Sequence, residues 1–548
     1  MRIRAGRWEW PSSPWWRGAT AVALGALPAL AFPAPSLWWF AYVALVPWML
    51  LIRSAPTGRR AALDGWLGGT GFMIAAHHWL MPSLHVFIVV LAALLALLWL
   101  PWGWLVRSML GGTTRGATTL GGTTPGRTGT PSARRATAAL VVVPSGWLMA
   151  ELVRSWEGLG GPWGLLGSSQ WEVAPALRLA SVGGVWLVSL LVVAVNTAVV
   201  VLLTVPSART PVVAGLTVCA VAAGAVWAWA PRPEQSGRVR VAVVQPGVVS
   251  GGDRPEQRFA RGEALTRDLA GQDLDLVVWG ESSVGADLTE RPDLAARLAA
   301  LSRLVDAQVL VNVDARRPDR PGIFKSSVLV GPEGVTGERY DKMRLVPFGE
   351  YVPARSVLGW ATSVGKAADE DRRRGTNPVV MALPGDGATG GLRVGPLVCF
   401  ESAFPDMSRE LTRGGAQVLV TQSATSTFQN SWAPEQHASL AALRAAENGR
   451  PVVHATLTGV SSVFGPGGKR VGSPLGTDAS TSAVYDIKLA EGTTAYVKAG
   501  DWPVYGALAV LALLGAAEGV RTLRRPVAPR PPGPPARTAR ASAARPGR

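Results

Sequence analysis

Three separated stretches carry side chains that could cooperate in nucleophilic chemistry. LVCFESAFP (397–405) places Cys399 at the end of the apolar run VGPLV, followed by Phe400 and Glu401. VVWGESSV (277–284) puts Glu281 just after a strand-like run, and RYDKMRLVPFGEYVP (339–353) carries Lys342 and Glu350. A thiol becomes a nucleophile when a base takes its proton. A carbonyl under attack needs a cation or N–H donors for its developing oxyanion. Glu281, Lys342 and Cys399 would supply base, cation and nucleophile. Each also has a plainer reading. A cysteine at a strand end is commonly a small core residue, and Glu281 would suit a helix N-terminus. Lys342 could lie on the surface, and Glu350 and Glu401 could be buried partners of a cation. Spacing by itself leaves these readings open.

Composition narrows the setting. The 548 residues include two cysteines and 23 tryptophans, are 48% hydrophobic and only 17% charged, and have a mean hydropathy of +0.22. Two cysteines exclude a disulfide scaffold, and Cys219 lies in an apolar run, so Cys399 is expected to be a free thiol. The net charge is +17, yet residues 231–502 carry 31 Lys+Arg against 31 Asp+Glu. The excess sits in the flanks, which excludes a nucleic-acid binder with a basic folded face. No His/Cys cluster has metal-ligand spacing, and the chemistry sketched above needs no metal or organic cofactor.

The elements around these stretches are of two kinds. Seven apolar segments precede residue 231, near 18–32, 38–52, 65–81, 84–106, 137–153, 179–205 and 211–230, and an eighth lies near 503–520. A spanning helix needs about 20 apolar residues, and several segments reach that only with their flanks. With the N-terminus inside, the inside segments hold 21 Lys+Arg and the outside connections among the first seven helices only Arg154 and Arg178. This predicts both termini in the cytoplasm and residues 231–502 outside it. Cleavage of the first segment as a signal peptide is not expected, because further spans follow at once. The predicted division is a basic N-terminus (1–17), a seven-span membrane domain (18–230), an extracytoplasmic domain (231–502), a C-terminal span (503–520) and a disordered basic tail (521–548). Segment 111–135, rich in Gly, Thr and Arg, reads as a flexible loop. His77 and His78, within a membrane segment, read as packed or interfacial.

Residues 238–490 alternate short Val/Leu-rich runs with helical ones, which predicts a layered α/β domain with strands buried on both faces. Here the motifs become specific. The order Glu281, Lys342, Cys399 in three such stretches resembles the nitrilase (carbon–nitrogen hydrolase) superfamily. YDKMRLVPFGEYVP, LVCFESAFP and EQHASLAALRAAENGRPVVHATLTGVS (435–461) resemble its membrane-bound branch, the apolipoprotein N-acyltransferases, as does GGPWGLLGSSQ (160–170). The likeness runs over residues 18–520.

The resemblance implies a polytopic α-helical membrane domain of about eight spans and an extracytoplasmic α-β-β-α sandwich. It implies that a phospholipid acylates Cys399 as a thioester and that Glu281 deprotonates first the thiol and then the incoming amine. Lys342 would stabilise the tetrahedral intermediates, with Glu350, Glu401 and Phe400 in support. The acceptor would be the α-amine of a diacylglyceryl-cysteine that begins an apolipoprotein, at a bacterial plasma membrane. Trp156, Trp163 and Trp171, on the 154–178 connection, suit either lipid entry or interfacial anchoring. The sequence departs from the family in several places. Gly280 stands where proline commonly precedes the base, and Phe400 where tyrosine often follows the nucleophile. Lys325, Ser326 and Ser327 stand where Tyr-Asn is usual, TQSATSTFQNSW (421–432) replaces Asn-Asp-x-Trp-Phe, and a Lys-Trp after the first strand is missing. Two rival readings remain: a membrane-tethered amidase passing the acyl group to water, and a non-catalytic lipoprotein-binding paralogue.

Overall fold

A computed structural model describes residues 2–4, 7–9, 13–114, 128–129, 131–248, 255–359, 370–384 and 391–524. Most of the 111–135 segment and all of the 525–548 tail lie outside the described residues.

The N-terminal half is a helical bundle: α1 (Pro14–Ala26), α2 (Val46–Arg53), α3 (Gly58–His77), α4 (Phe87–Ala96), α5 (Trp99–Leu110), α6 (Ala133–Arg154), α7 (Ala174–Thr204) and α8 (Arg209–Trp229). Thr57 caps α3 by accepting from Arg60 N at 3.1 Å. Small residues let α1 and α3 touch: a Cβ on Gly25 would fall 1.9 Å from the Gly68 carbonyl oxygen. Trp48, Trp99, Trp102 and Trp147 are buried together at the bundle centre.

Helix length and composition do not by themselves confirm the expected count of about eight spans. Among the described residues, four helices are long and apolar enough to cross a membrane: Ala133–Arg154, Ala174–Thr204, Pro206–Trp229 and Trp502–Leu523, the last denoted α13. A fifth span results if α4 and α5, bent by 46° at Leu97–Leu98, are taken as one. The other apolar segments are broken up. Pro28 falls in a 3₁₀ turn that ends α1 after 13 residues, α2 has only 8 residues, and α3 carries Arg59, Arg60 and Asp64. Apolar composition does not register these breaks, so one apolar segment need not be one continuous helix.

The second half holds two six-stranded sheets. The first comprises β1 (Glu234–Gln245), β2 (Leu276–Trp279), β3 (Gln308–Arg316), β4 (Ile323–Gly331), β5 (Gly334–Asp341) and β12 (Thr481–Glu491), in the order β12-β1-β2-β3-β4-β5. The second comprises β6 (Met381–Ala382), β7 (Arg393–Val398), β8 (Val418–Ser423), β9 (Val452–Thr456), β10 (Ser461–Phe464) and β11 (Arg470–Leu475), in numerical order. Val241, Val278 and Leu310 of one sheet pack on Val398, Val420 and Val453 of the other. Helices α9 (Pro255–Arg267) and α10 (Pro292–Val305) cover the outer face of the first sheet. Helices α11 (Pro405–Arg413) and α12 (Ala433–Asn448) cover the second. This is an α-β-β-α sandwich.

Helix α12 joins the halves. One flank packs on the second sheet and the other contributes Leu443 and Ala446 to the bundle core. Opposite it, α7 breaks at Gly183–Gly184, where Gly184 has φ +67° and lies against the Tyr496 ring. The break frees the Val185 N–H, which Glu447 of α12 accepts at 2.7 Å. Glu447 also pairs with Arg444 at 2.8 Å, and Arg444 donates to the Ala403 carbonyl at 2.8 Å. The docking point in the bundle thus connects to the turn Cys399–Ala403.

Candidate active site

The two sheets bring the three separated stretches to one place, at the C-terminal ends of β2, β5 and β7. Glu281 leaves β2, and its N–H donates to the Ser423 carbonyl at the end of β8, 3.1 Å away. Gly280, just before it, lies against the opposite sheet's backbone, where a Cβ would fall 1.9 Å from Leu457 N. Lys342 follows β5 and is fully buried. Cys399 follows β7 with φ +50°, a backbone position costly for a residue with a Cβ. That kink turns the chain into the short 3₁₀ segment Cys399–Ala403 and leaves the thiol facing the first sheet's carboxylates.

Distances define the arrangement. The Lys342 Nζ lies 2.7 Å from Glu350 Oε1 and 3.4 Å from Glu281 Oε1. The other Glu350 oxygen accepts from Val346 N at 2.8 Å. The Cys399 thiol lies close enough to Glu281 for each group to act on the other's ionisation. Glu401 touches none of these lysines by hydrogen bond. It accepts from Tyr340 Oη at 2.7 Å, Met343 N at 2.7 Å, Arg344 N at 3.1 Å and Val398 N at 2.8 Å, and so clamps the Lys342 stretch to the strand bearing Cys399.

Electrostatics follow from burial and these contacts. Burial alone would raise the Glu281 carboxyl, but Lys325 and Lys342 overcome it and hold it at about 2. Burial would lower the lysines, yet Glu350 and Glu281 raise Lys342 above its ordinary value. Burial, then Glu281, pushes the Cys399 thiol up to about 12, against the pull of Lys342. The resting site therefore holds a carboxylate, an ammonium and a neutral thiol. The carboxylate can accept the thiol's proton as the sulfur attacks, and the ammonium can face the oxyanion.

The other flank of Cys399 is neutral and aromatic. Phe400 is buried and meets Phe404 edge-on, with centroids 4.9 Å apart. The loop from the bundle crosses it at Gly161, where an added Cβ would fall 2.5 Å from the Phe400 ring. Of the three loop tryptophans, Trp163 is buried, Trp171 half-buried and Trp156 67% exposed. Trp163 lies 5.3 Å from the His437 ring and donates to Gln436 Oε1 at 2.8 Å. Trp171 lies against Phe464 and Arg470. His78, at the end of α3, meets Trp432 edge-on at 4.5 Å, and His77 bonds the Met73 carbonyl.

Several site residues escaped the sequence reading. His437 lies 3.1 Å from the Cys399 carbonyl oxygen and 3.0 Å from both Ser402 Oγ and Ser423 Oγ. It sits in the quoted stretch EQHASL, where helical periodicity gives no reason to single it out. Tyr340, two residues before Lys342, offered only its aromatic type. Lys325 was visible as a departure from the family pattern, but not as a site residue; its Nζ lies 2.8 Å from Glu281 Oε1.

The two halves of the chain match two family models. Residues 24–198 match the family model described as the apolipoprotein N-acyltransferase N-terminal domain. Residues 240–496 match the carbon–nitrogen hydrolase model. The chain is 31% identical to an apolipoprotein N-acyltransferase of Azotobacter vinelandii, over 93% of this chain and 96% of the relative. It is 29% identical to one of Geobacter metallireducens, over 90% and 94%. A solved structure of a Nesterenkonia amidase from the nitrilase superfamily aligns with 18% identity and a TM-score of 0.34, covering 50% of this chain and 98% of the amidase.

Proposed function

The chain belongs to the apolipoprotein N-acyltransferase family, and from that premise we propose that it is a membrane acyltransferase moving an acyl chain from a phospholipid, through a thioester on Cys399, to the α-amine of a diacylglyceryl-cysteine. In the first half-reaction the Cys399 Sγ attacks the ester carbonyl while Glu281 takes the thiol proton. The oxyanion forms facing Lys342. Its collapse breaks the ester C–O bond, and the lysophospholipid leaves with the proton returned by Glu281. In the second half-reaction the amine attacks the thioester and gives its proton to Glu281. Collapse then forms the amide and restores the thiol. Two half-reactions through one thioester give ping-pong kinetics. Glu350 and Glu401 act as positioning residues for Lys342 and its loop.

The observation that carries this reading is the convergence of Glu281, Lys342 and Cys399 from three distant stretches, with the Lys342 ammonium 3.4 Å from the Glu281 carboxylate and the Cys399 thiol within their electrostatic reach. Both substrates carry acyl chains, and withdrawing them from a bilayer costs about 0.8 kcal/mol per CH₂. A site docked on the bundle through α12 avoids that cost. The Lys/Arg asymmetry supports an extracytoplasmic site with both termini in the cytoplasm. Exposed Trp156 suits the bilayer interface and buried Trp163 the inner wall of a lipid path.

The test is a two-stage transfer. Purified protein is incubated with acyl-labelled phospholipid, then with a diacylglyceryl lipopeptide bearing a free amine. Label trapped on Cys399 and passed to the peptide is the expected result. Release to water alone overturns the transferase reading in favour of an amidase. No label on Cys399, under conditions where a relative acquires it, overturns catalysis.

A further inference from the structure

A second lysine occupies this site. Lys325 and Lys342 are direct cross-strand neighbours: the β4–β5 register pairs Ser326 with Asp341, and Lys342 N donates to the Lys325 carbonyl at 2.8 Å. On the other side of β4, Lys325 is register partner to Asp314 of β3. Like charges placed opposite each other destabilise a sheet, so the pair stands only because carboxylates come between them. The Lys325 Nζ lies 2.8 Å from Glu281 Oε1, 3.5 Å from Glu350 Oε1 and 3.5 Å from Asp314 Oδ2, and 3.2 Å from Ser282 Oγ. Every one of these contacts is to Glu281, its neighbour Ser282, or a carboxylate beside it. The Lys325 side chain is 13% exposed. An ordinary stabilising ion pair would need one carboxylate and would not sit opposite a second buried cation.

We propose that Lys325 is a positioning residue that keeps Glu281 ionised and fixed beside the Cys399 thiol, so that Glu281 is held by two cations where the oxyanion-facing Lys342 would otherwise be shared between base and intermediate. Glu281 faces Lys325 on β4, Lys342 after β5, Glu350 on the following loop, Cys399 after β7 and His437 on α12. Asp314 on β3 stands behind Lys325 and is itself held by Arg372 at 3.3 Å. With Lys325 on Glu281, Lys342 is freer to follow charge onto the substrate carbonyl oxygen. The consequence is an acid limit: without Lys325 the carboxylate takes up a proton at higher pH, and a protonated Glu281 cannot accept the thiol's proton.

This inference rests on the reading of Glu281 as base to Cys399, and its test needs no lipid. The full-length protein in detergent is treated with iodoacetamide. The S–C bond forms, iodide leaves and the thiol proton passes to Glu281 and on to water. Alkylation at Cys399 is followed by peptide mass, which separates it from Cys219, as a function of pH. Wild type, Lys325→Met and Lys325→Arg are compared. The expected result is an acid limb moved up by about one to three pH units in Lys325→Met, with Lys325→Arg keeping the wild-type limb. Where Met at this position prevents folding, Lys325→Gln, which still donates to Glu281 without a charge, carries the same expectation. An unmoved limb in the uncharged variant overturns the proposal, and so does an equal shift in Lys325→Arg, which would make shape rather than charge the cause. Loss of phospholipid labelling in a wild type whose alkylation profile is as described defeats the transferase reading and leaves this one standing.

Discussion

Cys399 stands between two walls of opposite character. The wall from the first sheet and the loop after it is charged: Glu281, Lys325, Lys342 and Glu350, all buried or nearly so, with each lysine within 3.5 Å of both glutamates. The opposite wall, from the turn after β7, the bundle loop and α12, is lined by neutral side chains: Phe400, Phe404, Trp163 and a His437 whose burial lowers its pKa to about 4. A uniformly charged pocket would repel an acyl chain, and a uniformly apolar one could not ionise a thiol or hold an oxyanion. The difference teaches a division of materials: the charged groups come from the sandwich, and the aromatic flank opposite them comes partly from the bundle loop.

Breaking the charged wall should cost most. Cys399→Ala is expected to abolish labelled acyl-enzyme altogether. Glu281→Gln should slow Cys399 acylation about 10²- to 10⁴-fold, the usual range for a general base, with the protein still folded by thermal melting in detergent. Lys342→Met should be comparably slow and should also destabilise the fold, because Glu281 and Glu350 would then lie buried with one cation fewer. Equal rates for Glu281→Gln and wild type would remove the distinction between the walls.

The neutral wall should break differently, through packing. Trp163→Ala removes a buried indole tilted against the His437 ring and its bond to Gln436, and should cost about 3–5 kcal/mol of stability. Acylation should slow by less than in Glu281→Gln. Denaturant titration beside single-turnover labelling separates the two effects. Acid should act on this wall too. The unfolded chain binds a proton at His437 near pH 6.5 and the folded chain only near pH 4, so the stability held above pH 6.5 is lost as pH falls toward 4. The loss should approach about 3 kcal/mol at pH 4. His454, at 4.8 Å and also lowered by burial, acts in the same direction. In His437→Asn the melting temperature should therefore fall less steeply with acid, without becoming flat.

The two walls were unequally legible in the sequence, for a physical reason. Glu281, Lys342 and Cys399 each sit just beyond a strand end, Glu350 and Glu401 share the motifs of Lys342 and Cys399, and local motifs are readable from one chain. Lys325 could be noticed only as a substitution, since its role comes from register against Asp314 and Lys342 across two strand pairs. The neutral wall depends on how a bundle loop lies over another domain. Nothing in GGPWGLLGSSQ marks Gly161 as the point that crosses Phe400, or Trp163 as buried and Trp156 as exposed. Hydropathy registers apolar composition but not the 46° bend at Leu97–Leu98 or the break at Gly183–Gly184, and the latter receives Glu447.

The smallest effect sharpens the comparison most finely. Trp156 and Trp163 are seven residues apart on one loop and were indistinguishable as interfacial aromatics. Trp156 is 67% exposed, and its neighbour Glu157 pairs with Arg374 of the sandwich, which fixes the loop without help from the indole. Trp156→Ala should therefore leave stability in detergent within about 0.5 kcal/mol of wild type. If the exposed ring serves as a bilayer anchor, its loss should weaken acyl transfer from donor embedded in vesicles while leaving transfer from detergent-dispersed donor unchanged. Equal losses in both media would place Trp156 on the lipid path itself, and the neutral wall would extend to the outer face of the loop.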